Sequence, residues 1–274
     1  MPTDVSHAGS PQPPDWNPTQ YDKFQREREQ PFFDLLALVE TSRPAAGLRV
    51  ADLGCGTGRL TRVLHDRLRA GDTIGIDRSP AMLKEPLAQS SAPGLRFEVG
   101  TIESFPGERG VFDLVFSNAA FHWVLDHESL LSRLANALAP AGQLAFQLPA
   151  SHGDPSHIVA TELAEVEPYR SALGAWRRPQ PVLSPEAYAR TLYRLGFRDP
   201  KVSLIVYPHI LAGPEAVVEW VKGTMLTDFA HRLPADLFDA FLETYRRRLL
   251  ERLEPSRPFF FPFKRILCWG QLSA

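Results

Sequence analysis

Between residues 48 and 150, short apolar runs alternate with amphipathic stretches. LRVADLG (48–54), DTIGID (72–77), LRFEVGT (95–101), FDLVFSN (112–118) and QLAFQL (143–148) are rich in branched and aromatic residues over strand-like lengths. RLTRVLHDRL (59–68) places Leu60, Val63, Leu64 and Leu68 on one stripe at helical spacing. Further helices are predicted around residues 81–89 and 129–138. Strands alternating with helices at these intervals predict βαβ units, that is, an α/β fold whose parallel sheet is covered on both faces. Such a sheet binds ligands beyond the C-terminal ends of its strands.

After Pro149 the alternation stops. Residues 151–198 read as helical and proline-interrupted, VSLIVYPHIL (202–211) as a strand, 214–253 as helical, and FKRILCWGQL (263–272) as a last strand. Two late strands separated by a long helical insertion predict that the insertion folds over the mouth of the sheet. At the other end, Pro2, Pro11, Pro13 and Pro14 stand among small polar residues, so residues 1–14 are expected to form a disordered tail. A turn at Asn17-Pro18 then leads into a helix with Tyr21 and Phe24 on one face.

Composition narrows the function. Apolar residues make up 44% of the 274, enough for an ordinary core in one or two domains. Thirty basic residues against thirty-two acidic give a formal charge of −2, which argues against a nucleic-acid binder. The Arg246, Arg247, Arg248 and Arg252 run is interleaved with glutamates and reads as a solvated helix face. Two cysteines, Cys55 and Cys268, cannot build a disulfide scaffold, and no H-E-x-x-H or G-x-S-x-G appears, so neither a metal site nor a hydrolase nucleophile is expected. With neither a signal-like leader nor an apolar run of about 20 residues, a soluble cytoplasmic protein with no membrane partner is the expectation.

The strongest local signal is Val50-Ala51-Asp52-Leu53-Gly54-Cys55-Gly56-Thr57-Gly58-Arg59, a strand entering Gly-x-Gly-x-Gly and then a helix. The glycines let backbone approach a ligand, and the free N–H groups of the helix start favour an anion. The dinucleotide fingerprint would put its third glycine at Arg59, and no lysine follows Gly58 as a P-loop requires. Asp52, just before the loop, would repel a pyrophosphate and suits an ammonium. Asp77 ends the next strand, where a carboxylate reaches both ribose hydroxyls. A zwitterion near the loop and a free ribose near Asp77 describe S-adenosylmethionine.

With these residues in hand, the first two-thirds resembles class I S-adenosylmethionine-dependent methyltransferases: ADLGCGTG is similar to their first motif, GIDRSPAML to their second, and FDLVFSNAAFHWV with LAPAGQLAFQLP to later ones. Asp15-Trp16-Asn17-Pro18, Tyr21 and Phe24, together with Glu219–Thr224 and Phe261-Pro262-Phe263-Lys264-Arg265, resemble trans-aconitate methyltransferases, which esterify a small polycarboxylic acid. The resemblance implies a Rossmann-like sheet, mostly parallel with the last strand antiparallel, and a helical cap inserted near the C-terminal strands. It divides the chain into N-terminal lid helices (15–47), a cofactor-binding core (48–150), and a substrate cap with the last strands (151–274). Cofactor contacts are implied at Trp16, Tyr21, Asp52, Gly54, Gly56, Asp77, Arg78, Met82, Thr101, Ile102 and Asn118. Thr101 stands where the class commonly has an acidic residue beside the adenine amino group, with the Ile102 backbone serving the ring and Glu103 turned to solvent.

The acceptor side carries alternatives. Asn118, His122 and Trp123 follow the fourth strand, where the donor methyl should lie, and are the catalytic candidates. Asn118 either bonds near the amino-acid end of the cofactor or caps the next segment. His122 is a substrate hydrogen-bond donor, a general base for a hydroxyl or amine, or a structural histidine; Trp123 fits packing better than catalysis. Trp16, Tyr21 and Phe24 either close over the sulfonium or pack on the sheet. A small anionic carboxylic acid needs fixed cations, and Lys222, Lys264 and Arg265 are the candidates; Tyr21 and His122 complete the acceptor set. Lys264 and Arg265 alternate on a strand, so only one of them faces the site. A non-catalytic module that senses the cofactor fits the glycine loop equally well.

Overall fold

A computed structural model describes residues 25–41, 47–88, 92–105 and 109–273. Trp16, Tyr21, Phe24 and the predicted tail lie outside the described residues. Seven strands form one sheet: β1 (Arg49–Leu53), β2 (Asp72–Asp77), β3 (Leu95–Val99), β4 (Phe112–Asn118), β5 (Leu138–Pro149), β6 (Phe197–Leu211) and β7 (Phe259–Leu272). Their order is β3-β2-β1-β4-β5-β7-β6. β1 to β5 run parallel, and β7 is antiparallel to both of its neighbours. This is the mostly parallel sheet with an antiparallel last strand expected from the sequence.

Strand alternation sorts the core. Ala51, Leu53, Val115, Phe146 and Leu148 face one side, under α4 (His127–Ala137) and α7 (Pro185–Arg194). Val50, Leu114, Phe116 and Trp269 face the other, under α1 (Gln25–Leu36) and α2 (Arg59–Leu68), where Phe32, Leu35, Leu64 and Leu68 are buried. α2 buries Leu64 and Leu68 and leaves its arginines outward, as the 3.6-residue stripe requires. α4 starts because the Asp126 carboxylate accepts from the Ser129 amide at 3.0 Å; α7 starts on the equivalent Ser184 cap followed by Pro185. The stretch around 81–89 is helical only over α3 (Lys84–Ala88) among the described residues.

A separate apolar cluster forms the cap. α5 (Pro155–Ala164), α6 (Tyr169–Leu173), α8 (Glu215–Lys222), α9 (Thr227–Ala230) and α10 (Ala235–Arg252) bury Leu163, Trp220, Phe229, Phe241 and Tyr245 against Phe259, Phe261 and Phe263 at the start of β7. The helices between β6 and β7 are the predicted insertion. Both late strands begin earlier than their apolar runs suggest, because prolines interrupt the pattern. Pro208 and Pro262 face each other across the β6–β7 pair. Two prolines can stand opposite only in a non-hydrogen-bonded pair. Each one's other side is also uncommitted: β6 is the sheet edge, and β5 pairs with β7 only as far as Arg265.

Candidate functional site

The glycine loop leaves β1 under the end of β2. Gly54 and Cys55 donate their amides to the Ile76 carbonyl at 2.8 and 3.0 Å. Gly54, Gly56 and Gly58 all have positive φ, which only glycine adopts freely. Asp77 secures the loop from the next strand: its carboxylate accepts from the Gly56 amide and from the Ser79 amide, both at 2.9 Å. The result is a cleft of about 760 Å³, counting its open mouth, at the C-terminal ends of β1, β2 and β4. Gly54, Gly56, Asp77, Arg78 and Met82 line it from the loop side, and Ile102, Asn118, Ala120 and Trp123 from the opposite side.

Asp52 sits beneath this floor. Its place in β1 points it to the α2 face, where Thr61 donates to Oδ2 at 2.7 Å, while Oδ1 is buried without a hydrogen-bond partner among the described residues. Burial raises its pKa to about 7, with the Thr61 bond opposing and the Asp77 charge adding. Asp52 is therefore not a wall of the cleft, as a direct ammonium contact would need, but a charge behind its backbone. Thr101 also departs from expectation. Its hydroxyl lies 2.9 Å from that of Ser104 and accepts from the Ser104 amide at 3.0 Å, which closes a local turn. Ile102 and Glu103 line the cleft instead, although Glu103 remains largely exposed.

A second cavity of about 1020 Å³ adjoins the first between the sheet and the cap. Ala119 and Trp123 belong to both. Ala119 holds a left-handed backbone, φ 56°, so the chain turns sharply out of β4 into the 3₁₀ turn Phe121–Trp123. That turn delivers His122 to the second cavity and Trp123 to the junction, with the Arg78 guanidinium 5.8 Å from the Trp123 ring centre.

The second cavity is apolar with cationic points. Arg265, on β7, lines it with its guanidinium 5.0 Å from the Phe263 ring. Arg178 lines it from the connection before α7, held by Asp228 at 3.0 Å. His122 and His157 line it as well, together with Ser151, Ser156, Gln180 and Thr224. Burial, then the charges of Arg265 and Arg178, push His122 down to about 3. Burial and Arg178 push His157 to the same value. Both rings are neutral at ordinary pH, and the two charged side chains that line the cavity, Arg178 and Arg265, are cationic.

Of the three predicted cations, the structure brings only Arg265 to this cavity. Lys264 points away and pairs with Asp154 at 2.6 Å, as strand alternation demands. Lys222 is exposed on α8, while its neighbours Val221 and Thr224 line the cavity. Arg178 was not singled out from the sequence. Its one local signal is a charged pair, Arg177-Arg178, inside the proline-rich stretch that links cap and sheet.

The comparisons with known proteins agree with this geometry. A family model described as a methyltransferase domain matches residues 51–146, the glycine loop through β5. The fold is similar to that of the YcgJ protein from Bacillus subtilis (TM-score 0.58, 18% identity, covering 88% of this chain and 99% of that one). It is likewise similar to phosphoethanolamine N-methyltransferase 2 of Haemonchus contortus, solved with S-adenosylhomocysteine (TM-score 0.54, 16% identity, covering 94% and 59%). Sheet, loop and joined cavities define an S-adenosylmethionine-dependent methyltransferase of the Rossmann-like class.

Full-length relatives narrow the class. The chain is 41% identical to the trans-aconitate 2-methyltransferase of Deinococcus radiodurans, over 92% of its own length and 96% of that protein's. It is 38% identical to that of Variovorax paradoxus, over 90% and 95%. The chain belongs to the trans-aconitate 2-methyltransferase family.

Proposed function

We propose that this protein methylates a carboxylate of trans-aconitate, or of a closely similar small polycarboxylic acid, to give a methyl ester, with S-adenosylmethionine as donor. The observation that carries the reading is the pair of cavities meeting at Ala119 and Trp123, one floored by the glycine loop and the other bearing Arg178 and Arg265.

The residues of the first cavity fit the cofactor. Gly56 has open space where a side chain would stand, so backbone is presented to the ligand. Asp77 presents a carboxylate for a ribose diol, and buried Asp52 favours positive charge near the loop. When bound, S-adenosylmethionine supplies a methyl group on a sulfonium, an electrophile that a carboxylate attacks without prior deprotonation.

The acceptor cavity supplies position rather than acid–base chemistry. A carboxylate has a pKa of about 4 and arrives ionised. Arg265 and Arg178 give it fixed donors, and Arg matches a carboxylate in a bidentate fork. The apolar remainder (Trp220, Met225, Phe261 and Phe263) excludes water. Holding two reactants in line supplies up to about 7–11 kcal/mol of the barrier.

A histidine held near 3 has too little proton affinity to activate a hydroxyl or an amine. His122 is therefore read as a neutral hydrogen-bonding group at the acceptor. Multiple turnovers with trans-aconitate and radiolabelled cofactor test the function directly. The expected product releases labelled methanol in mild base; a base-stable label would point to a nitrogen, carbon or ether acceptor, and no turnover with any acid would leave a binding module.

A further inference from the structure

The two cavities are connected by more than shared walls. Asn118 lines the first and Arg265 the second. Between them stands Gln147, fully buried on β5 and paired in register with Asn118 on β4. Arg265 Nη1 donates to Gln147 Oε1 at 2.9 Å, and Gln147 Nε2 donates to Asn118 Oδ1 at 2.5 Å.

The guanidinium fixes the polarity of this series of hydrogen bonds. A guanidinium has donors only. The Gln147 atom facing Arg265 must therefore be its carbonyl oxygen, which turns its NH₂ toward Asn118. The Asn118 atom receiving that bond must be oxygen, which leaves the Asn118 NH₂ as the group presented to the cleft. Register places that group beside the glycine loop, since Asp52 pairs with Phe116 two residues earlier on each strand.

We infer that Gln147 is a positioning residue that transmits the donor-only character of Arg265 to Asn118, so that Asn118 offers an N–H donor, and not an acceptor, to the anionic amino-acid end of the cofactor. The inference rests on the methyltransferase reading above. Gln147 touches neither ligand; it acts through Asn118.

A Gln147→Glu substitution keeps shape and the bond to Arg265 but presents only acceptors. Asn118 must then turn its NH₂ toward the new carboxylate and its oxygen toward the cleft. The measurement is the dissociation constant of S-adenosylhomocysteine by calorimetry, in a double-mutant cycle with Asn118→Ala. Gln147→Glu alone is expected to weaken binding about tenfold, the loss of one hydrogen bond to a charged group. In the Asn118→Ala background the same substitution is expected to change it less than about twofold, because no amide remains to be turned.

A merely structural Gln147 predicts equal losses in both backgrounds. Equal losses, or no loss, overturn the inference while wild-type binding leaves the function standing. Failure of the wild-type protein to take up S-adenosylhomocysteine overturns both. Should the glutamate variant not fold, Gln147→Leu is put through the same cycle; it frees Asn118 to rotate, and its smaller loss must likewise vanish in the Asn118→Ala background.

Discussion

Gly54 and Ala120 meet where the loop after β1 passes the turn after β4: a Cβ added at Gly54 would overlap the Ala120 Cβ. Gly54 also has φ 78°. Gly54→Ala must therefore open the contact that joins the two walls of the cleft, and it is expected to lower the melting temperature and abolish cofactor uptake. Gly56, at φ 57°, has nothing within 4 Å of its added Cβ. Gly56→Ala is expected to fold with a cost of about 1–2 kcal/mol from the left-handed backbone, yet to lose cofactor affinity because the methyl enters the cleft. Thermal melts and calorimetry on the pair separate fold from site.

Asp77 both tethers the loop and faces the cleft. Asp77→Ala is expected to weaken S-adenosylhomocysteine binding by about 1–3 kcal/mol, through lost charged hydrogen bonds. A dissociation constant equal to the wild type's would remove Asp77 from the ribose.

Asp52 is expected to make cofactor binding depend on pH. Its folded pKa, about 7, lies above the ordinary carboxylate value, so the folded protein holds a proton there that the unfolded chain releases. Its contribution to stability is present at low pH and is lost as pH rises toward 7. A cationic group above the loop favours the ionised form, so ligand binding should release a proton below about pH 7, tighten as pH rises toward that value and level off above it. Asp52→Asn is expected to flatten that step in a calorimetric pH series run in two buffers of different ionisation heat.

Arg265 and Arg178 are expected to dominate acceptor binding. Replacing either by methionine should raise the KM for trans-aconitate by about one to two orders of magnitude, the cost of charged hydrogen bonds of about 1.5–3 kcal/mol. Cofactor affinity should move less for Arg178→Met than for Arg265→Met, because only Arg265 is bonded to Gln147. Lys222→Ala, on the exposed face of α8, should leave the KM unchanged.

His122 separates positioning from base catalysis. His122→Gln is expected to retain turnover within about tenfold, and the wild-type kcat should stay level between about pH 6 and 8, since a carboxylate is ionised throughout that range. A kcat that follows a histidine titration and disappears in the glutamine variant would restore the general base. The depressed pKa has a second consequence: the unfolded chain takes up a proton that buried His122 refuses, so stability is lost as pH falls from about 6.5 toward 3. Urea melts at several acid pH values should show a shallower loss for His122→Gln.

Much of the cofactor side was legible in the chain. The loop and Asp77 are local in sequence, and their place at the cleft follows from a strand ending in glycines and the βαβ pattern; Arg78, Met82 and Ile102 were legible only through the family resemblance. Asp52 and Thr101 stand where the motifs predict along the chain, but their side chains turn elsewhere. The phase of β1 sends Asp52 toward Thr61, and a Thr101–Ser104 turn claims the threonine hydroxyl. The acceptor side was less legible because Arg178, His157 and Arg265 lie far apart in sequence and share no motif.

The sequence by itself determined the βαβ order, the glycine loop, the late helical insertion and the rule that one of Lys264 and Arg265 faces inward. These depend on periodicities of 2 and 3.6 residues and on backbone that only glycine allows, all of which are local. Tertiary packing decided which of the two is inward, because Asp154 at the start of α5 captures Lys264. It also brought Arg178 across from the cap and threaded Gln147 between Asn118 and Arg265. Those relations join residues 29 to 118 positions apart, so they come into being only when the sheet closes and a buried donor has to find its acceptor.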